Sequence, residues 1–481
     1  MPVRRRPTLL RGLALLGLAG SLLTAIAGPR ALEDRHTGWW YAQIATSRGL
    51  ATVLVWVGMG LLTVAWLTVL RLGAERRSAL ALAGLWVLPL LLGPPLFSSD
   101  VYSYLAQGAI LHLGHDPYTQ PPTILAHLGD RRLLEAVSPF WWHTTAPYGP
   151  LFLELVGLIS TVGATHLVVG VLLCRALDLA GLVLLAVWVP RLADALGADA
   201  GRALWLVLAS PLILFGLVVP AHNDLLMAGM LAAGAGYALR GRPLLGVALC
   251  ALAATIKLPA LVGVAFIAVA WGRSEQAGVR RLLVARCAAV AVAVLALVTL
   301  ISGVGLRWLS SAVFSTPARV HLAITPATAL GDTVALILHG AGVGVSPHGL
   351  EGALGVAATV LAAAVGLWLL WRADVPRFAG LLGATLLLAA ICGPAAWPWY
   401  LSWGIVLVAT CPSTQRSPAL VVVLVLGPFL VRPDGILSLP IGASPFVLAI
   451  YAVAAFAAWR RLRRRRTPGP GRAMTSAPVR S

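Results

Sequence analysis

Polar side chains suited to group-transfer chemistry interrupt the long apolar runs of this sequence at four places. A carboxylate, Asp100, opens "DVYSYLAQG", and "HND" (222–224) supplies an imidazole, an amide and a second carboxylate. A cation, Lys257, stands inside "AATIKLPAL", and aromatic rings cluster in "WPWY" (397–400). A carboxylate accepts the proton of an attacking hydroxyl, and a cation stabilises charge on a leaving phosphate. The imidazole, amide and carboxylate of "HND" suit sugar hydroxyls, and the tryptophan rings suit sugar-stacking surfaces and interfacial belts alike.

The residues around Asp100 predict a helix over 99–112. On such a helix Asp100, Ser103, Tyr104 and Gln107 share one face, because their spacing is i, i+3, i+4 and i+7. The apolar residues lie largely on the other face, which predicts an amphipathic helix lying in the membrane interface. The alternative is that Asp100 only caps this helix, since "SSD" offers good N-cap residues. Position alone does not separate a cap from a catalytic acid.

The other candidates also have purely structural explanations. "HND" is equally suited to a polar turn between two short helices. Lys257 either extends its ammonium to the interface along an apolar stem, or pairs with the phosphate of a lipid ligand. "HDPY" (115–118) and "APYGP" (146–150) are proline and glycine turns, which shape loops without doing chemistry. These alternatives stay open from the residues alone.

The composition is that of a membrane protein. Of the 481 residues, 59% are apolar and 11% are charged, whereas a soluble domain carries about 25% charge. The net charge of +19 includes arginine clusters at 4–6 and 460–466. Clusters beside spans mark cytoplasmic ends, and no aromatic-basic module predicts nucleic-acid binding. The five cysteines lie in or beside apolar runs without paired spacing, so we predict neither disulfides nor a zinc site.

The arginine positions also predict how the chain threads the membrane. The first spans lie near 8–27, 50–70 and 79–97, with a cytoplasmic N-terminus, and the third brings Asp100 to the outer face. The N-terminal segment resembles a cleavable signal peptide, but the many later spans favour an uncleaved first helix. The run 151–162 is shorter than the ~20 residues of a span, so we interpret it as a re-entrant or interfacial helix. The topology then has about 13–14 transmembrane helices and two cytoplasmic termini.

This threading places the polar candidates on one face of the membrane. They are Asp100, His222, Asn223, Asp224, Lys257, Trp397, Trp399 and Tyr400. Ionisable groups at membrane depth are costly, which makes these residues functional candidates. The sequence therefore predicts an all-α polytopic membrane protein in three parts. These are N-terminal transmembrane helices (1–78), a core (79–459) whose outer loop (98–166) carries short interfacial helices, and a basic, disordered cytoplasmic tail (460–481).

Five stretches, in order along the chain, resemble one family. They are "SSDVYSYLAQGAILHLGHDPY", "VSPFWWHTTAPYGPLFLEL", "HNDLLMAGMLAAG", "AATIKLPAL" and "PWYLSW". Together they resemble the actinobacterial polyprenol-phosphate-mannose-dependent α-1,6-mannosyltransferases, which belong to the GT-C superfamily of membrane glycosyltransferases. The resemblance spans roughly residues 80–460. The first two stretches are specific in combination, whereas "HND" and "KLP" are shared more widely among GT-C proteins.

The resemblance implies a GT-C-like core, a lipid-linked sugar donor and a catalytic acid early in the outer loop, where Asp100 stands. The commonest GT-C pattern has this loop after the first span, not the third, so Glu33 and Asp34 are rivals that lack the aromatic context of Asp100. The candidate substrate-binding residues lie in or beside the matching stretches: Tyr102, Tyr104, Gln107, Asp116, Tyr118, Tyr148, His222, Asn223, Asp224, Lys257, Trp397, Trp399 and Tyr400.

The reaction implied is an inverting transfer of mannose from polyprenyl-phosphate-mannose to a lipid-anchored α-1,6-mannan or lipomannan. It would take place on the outer face of the plasma membrane. Asp100 would act as the single base, with Lys257 or Arg319 near the phosphate and Trp141 and Trp142 as further sugar-holding rings. A monophosphate leaving group demands no divalent ion, so we predict no metal and no cofactor.

Two alternatives compete with this reaction. One is a GT-C transferase that uses another polyprenyl-phosphate sugar, such as arabinose. The other is a transporter or lipid flippase, which the sequence disfavours because it lacks two related halves with paired broken helices.

Overall fold

The computed structural model describes residues 7–32, 38–39, 47–73, 75–311, 325–393, 396–437 and 443–453, which form helices joined by loops. The α-helices are α1 Pro7–Leu32, α2 Arg48–Leu72, α3 Arg76–Leu92, α4 Asp100–His112, α5 Arg131–Ala136, α6 Pro150–Gly163, α7 Leu167–Ala195, α8 Ala200–Leu208, α9 Pro211–Ile213, α10 Asp224–Leu239, α11 Pro243–Ala254, α12 Leu261–Arg273, α13 Ala277–Ser302, α14 Arg307–Ser310, α15 Pro326–Gly340, α16 Pro347–Trp371, α17 Phe378–Cys392, α18 Ser402–Val408, α19 Pro418–Leu426 and α20 Ser444–Val453. A π-helical turn, Leu214–Val218, follows α9.

Long apolar helices confirm the prediction of an all-α polytopic membrane protein. Within the described segments, six are long and apolar enough to cross a membrane: Pro7–Leu32, Arg48–Leu72, Leu167–Ala195, Ala200–Val218, Ala277–Ser302 and Pro347–Trp371. Eight shorter apolar helices of 10–17 residues accompany them in the same segments. The total of about 13–14 spans and the sidedness of the loops stay predictions from the charge pattern.

The chain divides into two compact units. The first comprises residues 1–323 and 359–438, and the second comprises 324–358 and 439–481. In the second unit a capping box at Thr325 begins α15, and Ser444 Oγ donates to Asp332 Oδ2 at 2.6 Å. The candidate site residues all belong to the first unit. The division at residue 78 that the sequence predicted stays a prediction.

A pair of tryptophans fixes the helices that lead to Asp100. Trp66 Nε1 on α2 donates to the carbonyl of Trp205 on α8, and Trp205 Nε1 donates to the carbonyl of Trp66, both at 3.0 Å. Trp86 on α3 meets Trp205 edge-on, with ring centroids 5.3 Å apart. Buried N–H groups need acceptors, so this reciprocal pair holds one arrangement of the three helices. The next helix after α3 is α4, which begins at Asp100.

Helix α4 begins at Asp100, close to the predicted start, and protein covers both of its faces; its place in the membrane interface stays a prediction. Every residue from Val101 to Ile110 is buried. The helix packs closely on α6, since a Cβ added to Gly108 would lie 2.5 Å from the backbone of Val156. The face of Asp100, Ser103, Tyr104 and Gln107 therefore points into protein. The amphipathic pattern identified the polar face, but it could not show that both faces are covered.

Two other local predictions are confirmed. The run 151–162 lies within the short helix α6, and Lys257 lies in the turn between α11 and α12, which have 12 and 13 residues. Whether α6 is re-entrant stays a prediction. A 3₁₀ turn, Pro398–Leu401, carries Trp399 and Tyr400 into α18.

Candidate active site

Asp100 is the first residue of α4, and its carboxylate is hydrogen-bonded to a tryptophan from another part of the chain. Trp141 Nε1 donates to Asp100 Oδ1 at 3.0 Å, and the side chain is 17% exposed. Ser99 is the N-cap residue and makes no side-chain capping bond; the amide of Asp100 itself donates to Ser98 Oγ at 3.2 Å. The carboxylate is thus held by an indole from another loop, and helix capping does not account for it.

His222 faces the second oxygen of this carboxylate. Its Nε2 is 3.6 Å from Asp100 Oδ2, and its Nδ1 is 2.7 Å from the carbonyl of Gly216. Because a carbonyl only accepts, Nδ1 carries a proton, and in the neutral ring Nε2 presents a lone pair toward Asp100. The ring is fully buried, and burial lowers the pKa of His222, while the charges of Asp100 and Asp224 act in the opposite direction. This arrangement can hold a proton between carboxylate and imidazole.

Asp224 and Lys257 form a second, closed polar centre. Lys257 Nζ donates to both carboxylate oxygens of Asp224 at 2.8 Å, and Trp403 Nε1 donates to Asp224 Oδ1. The ammonium also lies over the ring of Tyr400, 4.5 Å from its centroid. Asp224 is fully buried and Lys257 is 14% exposed, so the snorkelling alternative for Lys257 is wrong. Its pairing with a lipid phosphate stays a prediction.

The aromatic rings of "WPWY" pack behind the imidazole of His222. Trp399 lies 4.5 Å from the His222 ring and stacks on Trp397 at 4.6 Å with an interplanar angle of 13°. Trp399 is 4% exposed and Trp397 is 9% exposed. Trp399 therefore contacts protein rings and supports His222, while Trp397 is the outer member of the stack. Tyr400 stacks on Trp403 at 4.7 Å and so belongs to the Asp224 centre.

The "APYGP" turn brings Tyr148 beside α4. The ring of Tyr148 meets that of Tyr104 edge-on at 5.0 Å, and the hydroxyl of Tyr118 donates to the carbonyl of Tyr148 at 2.8 Å. Gly149 N donates to the carbonyl of Ile256, next to Lys257, at 3.0 Å. Burial raises the pKa of Tyr104, and the charges of Asp100 and Asp224 add to this. This tyrosine therefore lies within electrostatic reach of both carboxylates.

Buried polar atoms without partners mark where the site can accept a ligand. Both side-chain polar atoms of Asn223, Gln107 Oε1, Ser103 Oγ and Ser402 Oγ are buried and have no hydrogen-bond partner among the described residues. Such groups are costly unless water or a ligand satisfies them. Gln107 and Asn223 were both predicted to bind substrate, and the structure leaves the amide oxygen of Gln107 and the whole amide of Asn223 available for that role.

Some of the predicted residues make structural contacts in the loops, and their binding to substrate stays a prediction. Asp116 accepts from the amide of Tyr118 at 2.9 Å and pairs with Arg307 at 2.7 Å, which fixes the "HDPY" turn. Tyr102 is buried on α4. Within the described segments, no three His, Cys, Asp or Glu side chains lie together as metal ligands. Glu33, Asp34 and Arg319 lie outside the described residues.

Sequence reasoning missed Arg175 and Asp178, which are both 2% exposed within the long span α7. A signal was present, because two charges three residues apart interrupt an apolar run. It also missed Trp403 as a partner of Asp224. Trp141 was expected to hold sugar, and the structure assigns its N–H to Asp100.

Comparisons with known proteins cover most of the chain. The family model described as "Alpha-(1->6)-mannopyranosyltransferase, N-terminal domain" matches residues 11–273, and "MptB C-terminal domain" matches 327–463. The chain is 33% identical to alpha-(1->6)-mannopyranosyltransferase A of Mycobacterium tuberculosis over 88% of this chain and 85% of that protein. It is 29% identical to alpha-(1->6)-mannopyranosyltransferase B of Corynebacterium glutamicum over 87% of this chain and 76% of that protein. No solved structure matches it significantly.

Proposed function

Since the chain belongs to the α-(1→6)-mannopyranosyltransferase family, we propose that it transfers mannose from polyprenyl-phosphate-mannose to a lipid-anchored α-1,6-mannan or lipomannan. The family expected from the five sequence stretches is confirmed, and with it a membrane mannosyltransferase. The lipid-linked donor, the mannan acceptor and a site on the outer face of the plasma membrane are parts of the proposal. They are supported by the charge pattern and by the resemblance given above.

The observation that carries the proposal is the Asp100 carboxylate, held by Trp141 and facing His222 with part of its surface open. A carboxylate in this state can take the proton of an acceptor hydroxyl as that oxygen bonds to the anomeric carbon. The bond from the anomeric carbon to the phosphate oxygen breaks in the same step, and its electron pair leaves with the lipid phosphate. One displacement inverts the centre, so a β-linked donor gives an α-linked product.

The remaining residues bind the two substrates in this proposal. The unpartnered amide oxygen of Gln107 and the unpartnered amide of Asn223 hydrogen-bond sugar hydroxyls, and the edges of Tyr104 and Tyr148 border the sugar. Lys257 shares its charge between Asp224 and the donor phosphate, so its effect on the phosphate is smaller than that of a free cation. The prenyl chain lies between membrane helices. No step requires a divalent ion.

The test is a transfer assay in membranes that contain the protein. Radiolabelled polyprenyl-phosphate-mannose and a short α-1,6-mannoside are supplied, and the product is analysed for chain extension and anomeric configuration. We expect an extended α-linked product. A parallel reaction with polyprenyl-phosphate-arabinose tests the sugar, and product from arabinose alone would overturn the mannose assignment. Label that crosses the bilayer without chain extension would indicate transport instead.

A further inference from the structure

Arg175, in the middle of α7, donates hydrogen bonds to four backbone carbonyls. Its Nη1 donates to Leu91 O at 2.7 Å and to Gly93 O, and its Nη2 donates to Pro94 O at 3.1 Å and to Val219 O at 2.5 Å. The side chain is 2% exposed. A charge inside an apolar span is costly and is retained only with specific partners. Here those partners are carbonyls in the last turn of a helix or just beyond its end, which lack helical donors of their own.

The four carbonyls belong to the two chain segments that end at Asp100 and at His222. Pro94 lies on the segment from α3 to Asp100, and Val219 lies on the segment from the π-helical turn to His222. The two segments meet again where His222 Nε2 stands 3.6 Å from Asp100 Oδ2. The Arg175 guanidinium therefore joins the starts of two short segments, Pro94 to Asp100 and Val219 to His222, which we call the Asp100 arm and the His222 arm. The first arm ends at the carboxylate and the second ends at the imidazole.

Each arm contains a residue in a costly backbone conformation. Phe97 has φ +68° and Ala221 has φ +60°, and they are the non-glycine residues with positive φ in the described part of the chain. Side chains with a Cβ rarely adopt this region, and such positions persist only where the surroundings hold them. A planar guanidinium with fixed donors is suited to hold two backbone segments at once, unlike a flexible ammonium.

We propose that Arg175 is a positioning residue that fixes the arms of Asp100 and His222 and so sets the carboxylate in its reactive position. This inference rests on the proposed function, in which Asp100 is the base. Arg175 donates to backbone carbonyls and acts on the Asp100 carboxylate through them. Asp178, three residues further along the same helix, is equally buried.

Arg175→Lys tests this role because it keeps the charge and loses the planar fork. We expect kcat to fall about a hundredfold, the effect of misplacing a reacting group by about 1 Å, with little change in KM for either substrate. Arg191→Lys is the matched control on the same helix. The guanidinium of Arg191 donates to the carbonyl of Val187 within α7 and is exposed, so kcat should stay at the wild-type level.

A double-mutant cycle separates positioning from a general loss of structure. If Arg175 acts through Asp100, Arg175→Lys added to Asp100→Asn lowers the residual rate no further. A further loss by the same factor would overturn the inference and leave the proposed function standing. A near-normal rate of Asp100→Asn alone would remove the base assignment, and the positioning role would fall with it.

A charge-neutral variant covers the case in which Arg175→Lys does not insert. Arg175→Gln with Asp178→Asn leaves no uncompensated charge in the span, so we expect it to fold, as judged by its thermal unfolding midpoint in detergent. It loses most of the carbonyl bonds and should show the same non-additive fall in kcat. Wild-type kcat in this folded variant would overturn the inference.

Discussion

The two carboxylates of the candidate site, Asp100 and Asp224, are held in opposite ways. Asp224 is fully buried and receives hydrogen bonds from Lys257 to both oxygens and from the Trp403 indole to one of them. Asp100 is partly exposed, receives one indole hydrogen bond and faces a buried imidazole. A base needs a free lone pair and a path for the substrate. The Asp100 carboxylate meets both conditions, whereas both oxygens of the Asp224 carboxylate already accept hydrogen bonds from protein side chains.

This contrast assigns different tasks to two neighbouring polar centres. The Asp224 centre joins the start of α10 to the turn before α12 and to α18, so its work is to hold helices together. The Asp100 centre includes His222, the chain neighbour of Asn223, and keeps a carboxylate accessible. Substitutions in the first centre should therefore change stability more than rate, and those in the second should change rate more than stability.

The largest expected effect is on stability at the closed centre. Asp224→Asn leaves the ammonium of Lys257 mostly buried without its counter-charge, so we expect the free energy of unfolding to fall by about 3–5 kcal/mol. Thermal unfolding of the detergent-purified protein measures this. Adding Lys257→Met removes the stranded charge and should restore much of the loss. A single Asp224→Asn variant as stable as wild type, yet inactive, would contradict the division of tasks.

The second effect is on rate at the open centre. Asp100→Asn keeps the size of the side chain and removes its capacity to accept a proton. We expect transfer to fall by at least about a hundredfold, while the unfolding midpoint stays near that of wild type. Asp374→Asn, at an exposed carboxylate paired with Arg377, is the matched control and should keep wild-type transfer. Near-normal turnover of Asp100→Asn would return Glu33, Asp34 and Asp224 to consideration.

The sequence was informative wherever a pattern is local. The start of α4, the short helices around Lys257 and the candidacy of Asp100 followed from spacing, turn residues and the resemblance. The positive-inside pattern also grouped "HND", Lys257 and the tryptophans as one candidate set. The structure brings His222 to Asp100 and Lys257 to Asp224, in agreement with that grouping.

Sequence alone could not show which groups pair, because pairing depends on helix packing between distant segments. Lys257 had two open alternatives, and its pairing with Asp224 is a third that no local pattern encodes. The burial of α4 depends on the fit of Gly108 against α6. Arg175 was missed because the predicted candidates are polar residues at the ends of apolar runs, whereas Arg175 lies inside such a run.

A third, smaller effect tests how Asp100 is held. Trp141→Phe keeps an aromatic ring and removes the N–H that donates to the Asp100 carboxylate. Hydrogen bonds to charged groups are worth about 1.5–3 kcal/mol, so we expect at least about a tenfold fall in kcat. Trp142→Phe is the control, since that indole donates to the carbonyls of Leu134 and Val137. Equal losses in both variants would show that the loop, and not the carboxylate contact, matters.

The smallest effect is a pH dependence that tests the imidazole beside Asp100. Burial lowers the pKa of His222 in the folded protein. The charges of Asp100 and Asp224 raise this pKa, and the charge of Lys257 lowers it, but burial is the largest effect. The unfolded chain therefore binds more protons than the folded one as pH falls through about 6.5, the ordinary histidine value. Stability contributed by neutral His222 is present above that pH and declines below it. We expect it to account for about 1 kcal/mol of the loss in unfolding free energy between about pH 8 and pH 6.

The comparison of His222→Gln with wild type measures this contribution. Unfolding midpoints at the two pH values should differ less for His222→Gln, while His127→Gln, at an exposed ring, should behave as wild type. A larger fall of the midpoint between pH 8 and pH 6 in His222→Gln than in wild type would mean that His222 is charged when folded. The imidazolium and Asp100 would then form an ion pair as closed as that of Asp224 and Lys257. Asp100 would lose the free lone pair that distinguishes it, and the contrast between the two centres would no longer explain which carboxylate takes the proton.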